Sequence, residues 1–403
     1  MERLYWNNDW KFAETWEEAM KEAVYPENEM EDVRLPHTCK ELPYHYFDEH
    51  AYQMLCGYRR HFMAPEAWRG KSVELTFEGG AHDAVVYVNG TEVKAHHCGY
   101  TAFSVELAKY LKYGEDNVLA VRVDSRENLN IPPFGYAIDY MTFGGMYREV
   151  YVQVRNKTHL ADVFVKSQIH PLQVTTEITV QNISDGITLQ QEIRKKGEGA
   201  YSPLGQKPVK QTNVQTVFPV QEICLWEPEN PHLYEIRTSL WKNGEMIDAR
   251  VDITGFREAG FRKDGFYLNG KKLRLRGLNR HQSYPYVGYA APASMQIFDA
   301  DILKKELGVN AVRTSHYPQS QDFIRRCDEI GLLVFTEFPG WQHIGGEEWK
   351  RQAMQNLKEM IVQYRNHPSI ILWGVRINES QDDDVFYRET NRVAHELDDT
   401  RAT

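Results

Sequence analysis

Polar and aromatic side chains recur in short bursts through the last third of the chain. The bursts are Asn279, Arg280 and His281; Arg313, His316 and Tyr317; Glu337, Trp341 and His343; and Asn378 with Glu379. Rings that stack on sugar faces, with amides, imidazoles and carboxylates that hold hydroxyls, make a carbohydrate site. Glu379 is the sharpest candidate, because a partly desolvated carboxyl at a strand end, flanked by an amide, can act as a general acid. On residue type alone an Asn-Glu pair after an apolar strand is more often a helix cap or loop pair. Arg313 either orients carboxylates or pairs with one, and Glu337 reads as its ionic partner. His367, before Pro368, reads as a brace for the strand that follows. His316, His343 and Glu379 lack metal-ligand spacing, so no metal ligand is assigned.

These bursts need elements that bring them to one rim. Ile302, Leu303 and Leu307, then Phe323, Cys327 and Ile330, then Trp349, Ala353, Leu357, Ile361 and Tyr364, and finally Phe386, Val393, Ala394 and Leu397 fall at helical spacing. Before and between them lie Leu273–Gly277, Ala311–Thr314, Leu332–Phe335 and the all-apolar Ile370–Trp373, read as strands. Alternating strand and helix with apolar strands predicts a parallel sheet covered on both faces. Four such units are half of an eight-stranded barrel, in which reactive side chains sit at the carboxyl ends of strands. A half-barrel leaves open edges, so these residues are expected to be the amino-terminal part of a longer polypeptide.

Upstream the period is two. Val73–Phe77, Val85–Val88, Val118–Val123 and Val150–Val154 read as strands, with Asn89-Gly90 as a hairpin turn. Shorter strands around Val163–Val165, Thr176–Val180 and Tyr234–Leu240 follow, punctuated by Asp185-Gly186 and Asn243-Gly244. The expected fold is multidomain: a jelly-roll β-sandwich over 1–156, an immunoglobulin-like β-sandwich over 157–257, and the first half of a (β/α)8 TIM barrel over 258–403.

Composition narrows the function classes. The 403 residues carry 47 Lys plus Arg against 57 Asp plus Glu, a formal charge of −10. An acidic chain lacks the basic footprint of a nucleic-acid or anionic-membrane binder, so neither partner is expected. The five cysteines form no CxxC pair, which predicts free thiols in a reducing compartment. The amino terminus shows no signal-peptide pattern and no run of 18 apolar residues occurs, so a cytoplasmic location is expected.

Several motifs resemble glycoside hydrolase family 2, in the family's order. They are Gly144-Gly-Met-Tyr-Arg148, Trp226-Glu-Pro-Glu-Asn-Pro-His-Leu-Tyr234, Gly277-Leu-Asn-Arg-His281, Gly308-Val-Asn-Ala-Val-Arg-Thr-Ser-His-Tyr-Pro318 and His367-Pro-Ser-Ile-Ile-Leu-Trp-Gly-Val-Arg-Ile-Asn-Glu379-Ser. The resemblance implies a retaining β-glycosidase in which Glu379 is proton donor and later general base. It implies that Asn378 binds the hydroxyl beside the scissile bond, that His316 contacts substrate, and that Asp139 reaches in from the jelly roll. Trp341 and His343 either line the sugar pocket or pack a loop, and the stretch 337–345 that holds them is similar to β-galactosidase-type members, which favours galactosides. The family commonly has glycine before the Asn-Glu pair, where Ile377 stands here. Its nucleophile is a second glutamate on a later strand, matched by no residue of this chain. No cofactor is required, although the family admits a supporting Mg2+ or Na+, and its members often form homo-oligomers. Two readings stay open beside this one: a β-glucuronidase or β-mannosidase of the same family, and a non-catalytic carbohydrate-binding protein with a degenerate barrel.

Overall fold

The computed structural model describes residues 3–45 and 48–403. The amino-terminal part is a sandwich of a six-stranded and a four-stranded antiparallel sheet. Alternation builds it: along Asp116–Asp124 and Ser72–Phe77 the buried Val73, Leu75, Leu119, Val121 and Val123 face the shared core with Trp10, Val86 and Val152. The Asn89-Gly90 turn closes Asp83–Val88 onto Thr91–His96, with φ of 50° and 83°, the left-handed pair that a two-residue hairpin requires.

A second sandwich follows, with sheets of three and four antiparallel strands around Leu160, Val163, Val174, Ile178, Leu189, Ile236 and Leu240. Its strands are longer than the sequence pattern suggests. His159–Ile169 has 11 residues, and Leu172–Gln181 and Glu245–Thr254 have 10 each. Their outward positions carry Thr, Gln, Asp and Arg and break the apolar signal, while the ladder continues through them.

The run Leu273–Gly277, expected as one strand, is divided. Lys271–Leu273 closes a small three-stranded antiparallel sheet with Ala259–Arg262 and Gly265–Leu268, and the first barrel strand is Gly277–Asn279. The Asn269-Gly270 turn, with φ of 51° and 76°, folds 271–273 back onto 265–268, so pairing with the barrel starts only at Gly277↔Ala311. Asn279 therefore ends the first strand rather than following it.

The barrel portion is a four-stranded parallel sheet in chain order: Gly277–Asn279, Ala311–Thr314, Leu333–Glu337 and Ile370–Gly374. The alternating helices are α1 (Ala293–Asp301), extended by a π-helical turn, α2 (Gln321–Ile330), α3 (Glu347–Tyr364) and α4 (Asp384–Leu397). Helix α2 starts where Ser320 accepts the Asp322 N–H at 3.1 Å and stops at Gly331, φ 71°. Phe323, Ile324 and Cys327 on α2 and Leu357, Met360 and Ile361 on α3 bury the outer face of the sheet. Beyond the fourth strand, Ala402 bridges Leu372 in parallel.

Buried arginines lock the parts together. Arg148 of the first sandwich donates to Glu78 O and Tyr100 O at 3.2 and 2.9 Å, and across the boundary to Gln282 Oε1 and Pro318 O, both at 3.1 Å. Arg257, at the exit of the second sandwich, donates to Pro368 O and Ile370 O at the foot of the fourth strand, at 2.6 and 2.5 Å.

Candidate active site

Arg313, on the second strand, is the hub of the rim. Its Nη2 donates to Glu337 Oε2 at 2.8 Å and to Asn378 Oδ1 at 2.9 Å, and its Nε also reaches Glu337 at 3.1 Å. Glu337 ends the third strand with a side chain only 3% exposed. Its other oxygen meets His316 Nδ1 at 2.5 Å. Both carboxylate oxygens are thus committed to cations or donors, which makes Glu337 an orienting anion rather than a free nucleophile.

This network aims Asn378. Its amide oxygen is held by Arg313, so the amide nitrogen is left as a donor with no protein partner among the described residues. Glu379 follows at φ 55°, a left-handed conformation uncommon outside glycine and asparagine. Its Oε2 accepts from Gln342 Nε2 at 3.0 Å, and it forms no ion pair among the described residues. The carboxyl is exposed, not partly desolvated as expected. The fourth strand carries only the Ala402 bridge on its outer side among the described residues, and the Glu379 side chain stands out from a loop whose Val375, Ile377 and Ser380 are held by α4. Ile377, in place of the family's usual glycine, is buried against Gly340, whose missing side chain makes the room.

The other expected site residues divide. His316 is 6% exposed and sits in the network, with the Trp341 ring 4.9 Å away. Trp341 is itself buried at 7% and supports His316 rather than presenting an open stacking face. His343 points elsewhere. Its ring packs on the backbone of Gly135, edge-on to Tyr136 at 5.0 Å and near Trp349 at 5.9 Å, and burial lowers its pKa. Asp139 is exposed on a loop of the first sandwich, next to Tyr140.

That loop reaches the rim through a residue the motifs did not single out. The Tyr140 ring lies 5.1 Å from His281, 6.1 Å from His316 and 6.3 Å from Trp341, with its hydroxyl buried and unpartnered. His281 stands 5.7 Å from His316, and burial together with His316 pushes its pKa down to about 4, so it is neutral near pH 7. Gln342 was missed as well. Only its position between Trp341 and His343 hints at it, because the partner is far away in sequence. Among the described residues no three His, Cys, Asp or Glu side chains are grouped to hold a metal ion.

Comparisons with known proteins bear on the domain order and the family. Residues 32–155 match the model "Glycosyl hydrolases family 2, sugar binding domain", 158–257 match "Glycosyl hydrolases family 2", and 260–403 match "Glycosyl hydrolases family 2, TIM barrel domain". A β-galactosidase of Thermoanaerobacter pseudethanolicus is 47% identical over 99% of this chain and 55% of its own length. One from Thermoanaerobacterium thermosulfurigenes is 46% identical over 98% of this chain and 57% of its own length. The structure of Bacteroides uniformis β-glucuronidase 2, covalently bound to cyclophellitol-6-carboxylate aziridine, superposes with a TM-score of 0.90 at 28% identity, covering 100% of this chain and 52% of that one. The chain therefore spans about half the length of the curated relatives it matches. With consecutive models of one family along nearly all of its residues, and a jelly roll, an immunoglobulin-like sandwich and a partial TIM barrel in that family's order, the chain belongs to glycosyl hydrolase family 2.

Proposed function

We infer that this chain supplies the acid/base carboxylate and part of the sugar pocket of a retaining β-glycosidase that acts on β-galactosides. One observation carries the reading: an exposed carboxylate, Glu379, with no ion pair among the described residues, stands beside an amide whose oxygen is already locked by Arg313. That arrangement leaves Asn378 to donate to a sugar hydroxyl while Glu379 serves the glycosidic oxygen. In the first step the Glu379 carboxyl gives its proton to that oxygen as the C1–O bond breaks and a second carboxylate bonds to C1. In the second step Glu379, now ionised, takes a proton from the water that displaces the enzyme from C1. Glu337 is already committed to Arg313 and His316, so the second carboxylate is assigned to residues this chain does not carry, and the chain alone is expected to be inactive.

The covalent adduct in the Bacteroides uniformis relative supports a two-step path. The galactoside preference rests on 47% and 46% identity to two β-galactosidases, against 30% to a putative β-glucuronidase of Formosa agariphila. A cytoplasmic setting is supported by five free cysteines, four of them buried, and no described helix is long and apolar enough to cross a membrane.

Glu379→Gln in the full-length polypeptide tests the assignment. Turnover of alkyl galactosides, whose leaving groups need a proton, should fall by about 100-fold or more. The kcat/KM of dinitrophenyl galactosides, which reports the first step alone, should fall far less than that of alkyl galactosides, and equal losses in kcat/KM on both would remove Glu379 from the acid role.

A further inference from the structure

Among the described residues one side chain holds Glu379, and it belongs to a neighbouring loop. Gln342 donates through Nε2 to Glu379 Oε2 at 3.0 Å. The loop is in register with the exit of the fourth strand: the Gln342 N–H donates to Asn378 O at 2.8 Å, and Trp341 bridges Asn378 in parallel. Gln342 and Glu379 both sit at φ 55°, so each backbone turn is imposed by its surroundings rather than chosen locally. One residue further on, His343 is pressed against the first sandwich. A Cβ on Gly135 would run into its ring, Tyr136 closes one side, and Trp349, anchored by its Nε1 to Phe134 O at 3.1 Å, closes the other. Contacts therefore run without a break from the sandwich loop, through His343 and Gln342, to the carboxyl.

We propose that Gln342 is a positioning residue for Glu379, and that the first sandwich clamps it in place through the Gly135–His343 contact. The inference rests on the acid/base reading of Glu379. An exposed glutamate with no fixed partner samples several rotamers. One donor on a loop in fixed register selects the rotamer that faces the rim. The contact suits both halves of the cycle, because Oε2 accepts from Gln342 whether or not Oε1 carries the proton, and Oε1 is the oxygen that gives the proton to the glycosidic oxygen and regains it from water. The nearby charges are already engaged elsewhere. Arg376 pairs with Asp382 on the loop of Glu379 itself, Arg313 and His316 bind Glu337 beyond Asn378, and Lys350 on α3 pairs with Asp383. Among the described residues, neutral Gln342 is the side chain that hydrogen-bonds this carboxyl.

Two measurements test the proposal. In the 403-residue chain labelled with 15N-glutamine, the Gln342 side-chain amide signal is assigned by its loss in Gln342→Met. That signal should move in Glu379→Ala and also in Gly135→Ala, whose new methyl displaces His343. An amide signal unchanged in Glu379→Ala overturns the contact, and one unchanged in Gly135→Ala overturns the clamp. In the full-length polypeptide, Gln342→Met should lower kcat/KM, which reports the proton-donating first step, about tenfold for alkyl galactosides and less than about twofold for dinitrophenyl galactosides. Equal losses on both substrates mean a merely structural role and overturn the proposal. The magnetic-resonance arm needs no turnover, so it judges the contact even if Glu379→Gln itself removes the acid/base reading.

Discussion

Arg313 does the work of two partners, and its replacement should be felt in two ways. Its guanidinium neutralises a nearly buried carboxylate and fixes the face of the Asn378 amide. Arg313→Met would leave Glu337 with His316 as its one remaining partner. Breaking such a pair from one side should cost about 2–4 kcal/mol. Arg313→Met/Glu337→Gln should recover most of that loss, because the uncompensated charge is gone. Urea denaturation of the single and double variants checks both values, and a single variant as stable as the parent would mean that the pair carries no weight.

Helix α2 shows how one residue decides where an element ends and what may approach it. Gly331 closes the helix at φ 71°, and a Cβ there would strike the carbonyl of Pro228 in the second sandwich. The same contact zone is tied by Trp226 Nε1 donating to Asp328 O at 2.8 Å and by Lys304 Nζ donating to Pro228 O and Gly331 O at 3.0 and 3.1 Å. Gly331→Ala thus combines an unfavourable backbone with a clash, and a loss of about 2–4 kcal/mol is expected by chemical denaturation. His367 has a comparable bracing role. Its Nδ1 meets Asp328 Oδ2 at 2.5 Å, while Asp328 Oδ1 accepts from Ser369 N at 3.0 Å at the start of the fourth strand. Helices α2, α3 and α4 were legible because their buried residues recur at helical spacing, whereas the helix expected around Ile302, Leu303 and Leu307 is a π-helical turn that follows α1. The split at Leu273–Gly277 was not legible, since antiparallel and parallel pairing use the same side-chain alternation.

The docking of the first sandwich on the barrel carries a pH dependence. Glu78 is 3% exposed where the two meet, and burial, with Glu149 adding, pushes it up to about 7 although Arg3 lies 3.4 Å away. A carboxyl raised from 4.5 when folded binds its proton more tightly in the native state than in the unfolded one. Its contribution is therefore fully present below about pH 4.5 and lost as pH rises to about 7, on the order of 3 kcal/mol in all. Glu78→Gln keeps the shape without the charge, so its melting temperature should exceed that of the parent at pH 8 and converge with it near pH 5. Parallel melting curves across that range would show that Glu78 titrates normally.

The amino-acid pattern established three domains in order, parallel strands with their helices, and Asn378-Glu379 at a strand end, because periodicity, capping residues and family motifs are local. The Arg313–Glu337 pair was expected from residue types, but nothing local states that His316 takes the other oxygen of Glu337, that His343 turns away to grip Gly135, or that Tyr140 and Gln342 join the rim. Those assignments depend on groups far apart in the chain, 37 residues for Gln342 and Glu379 and about 200 for Gly135 and His343. Folding brings them within hydrogen-bond or van der Waals reach, and hydrogen bonding and close packing, which act only over such distances, then select the partners.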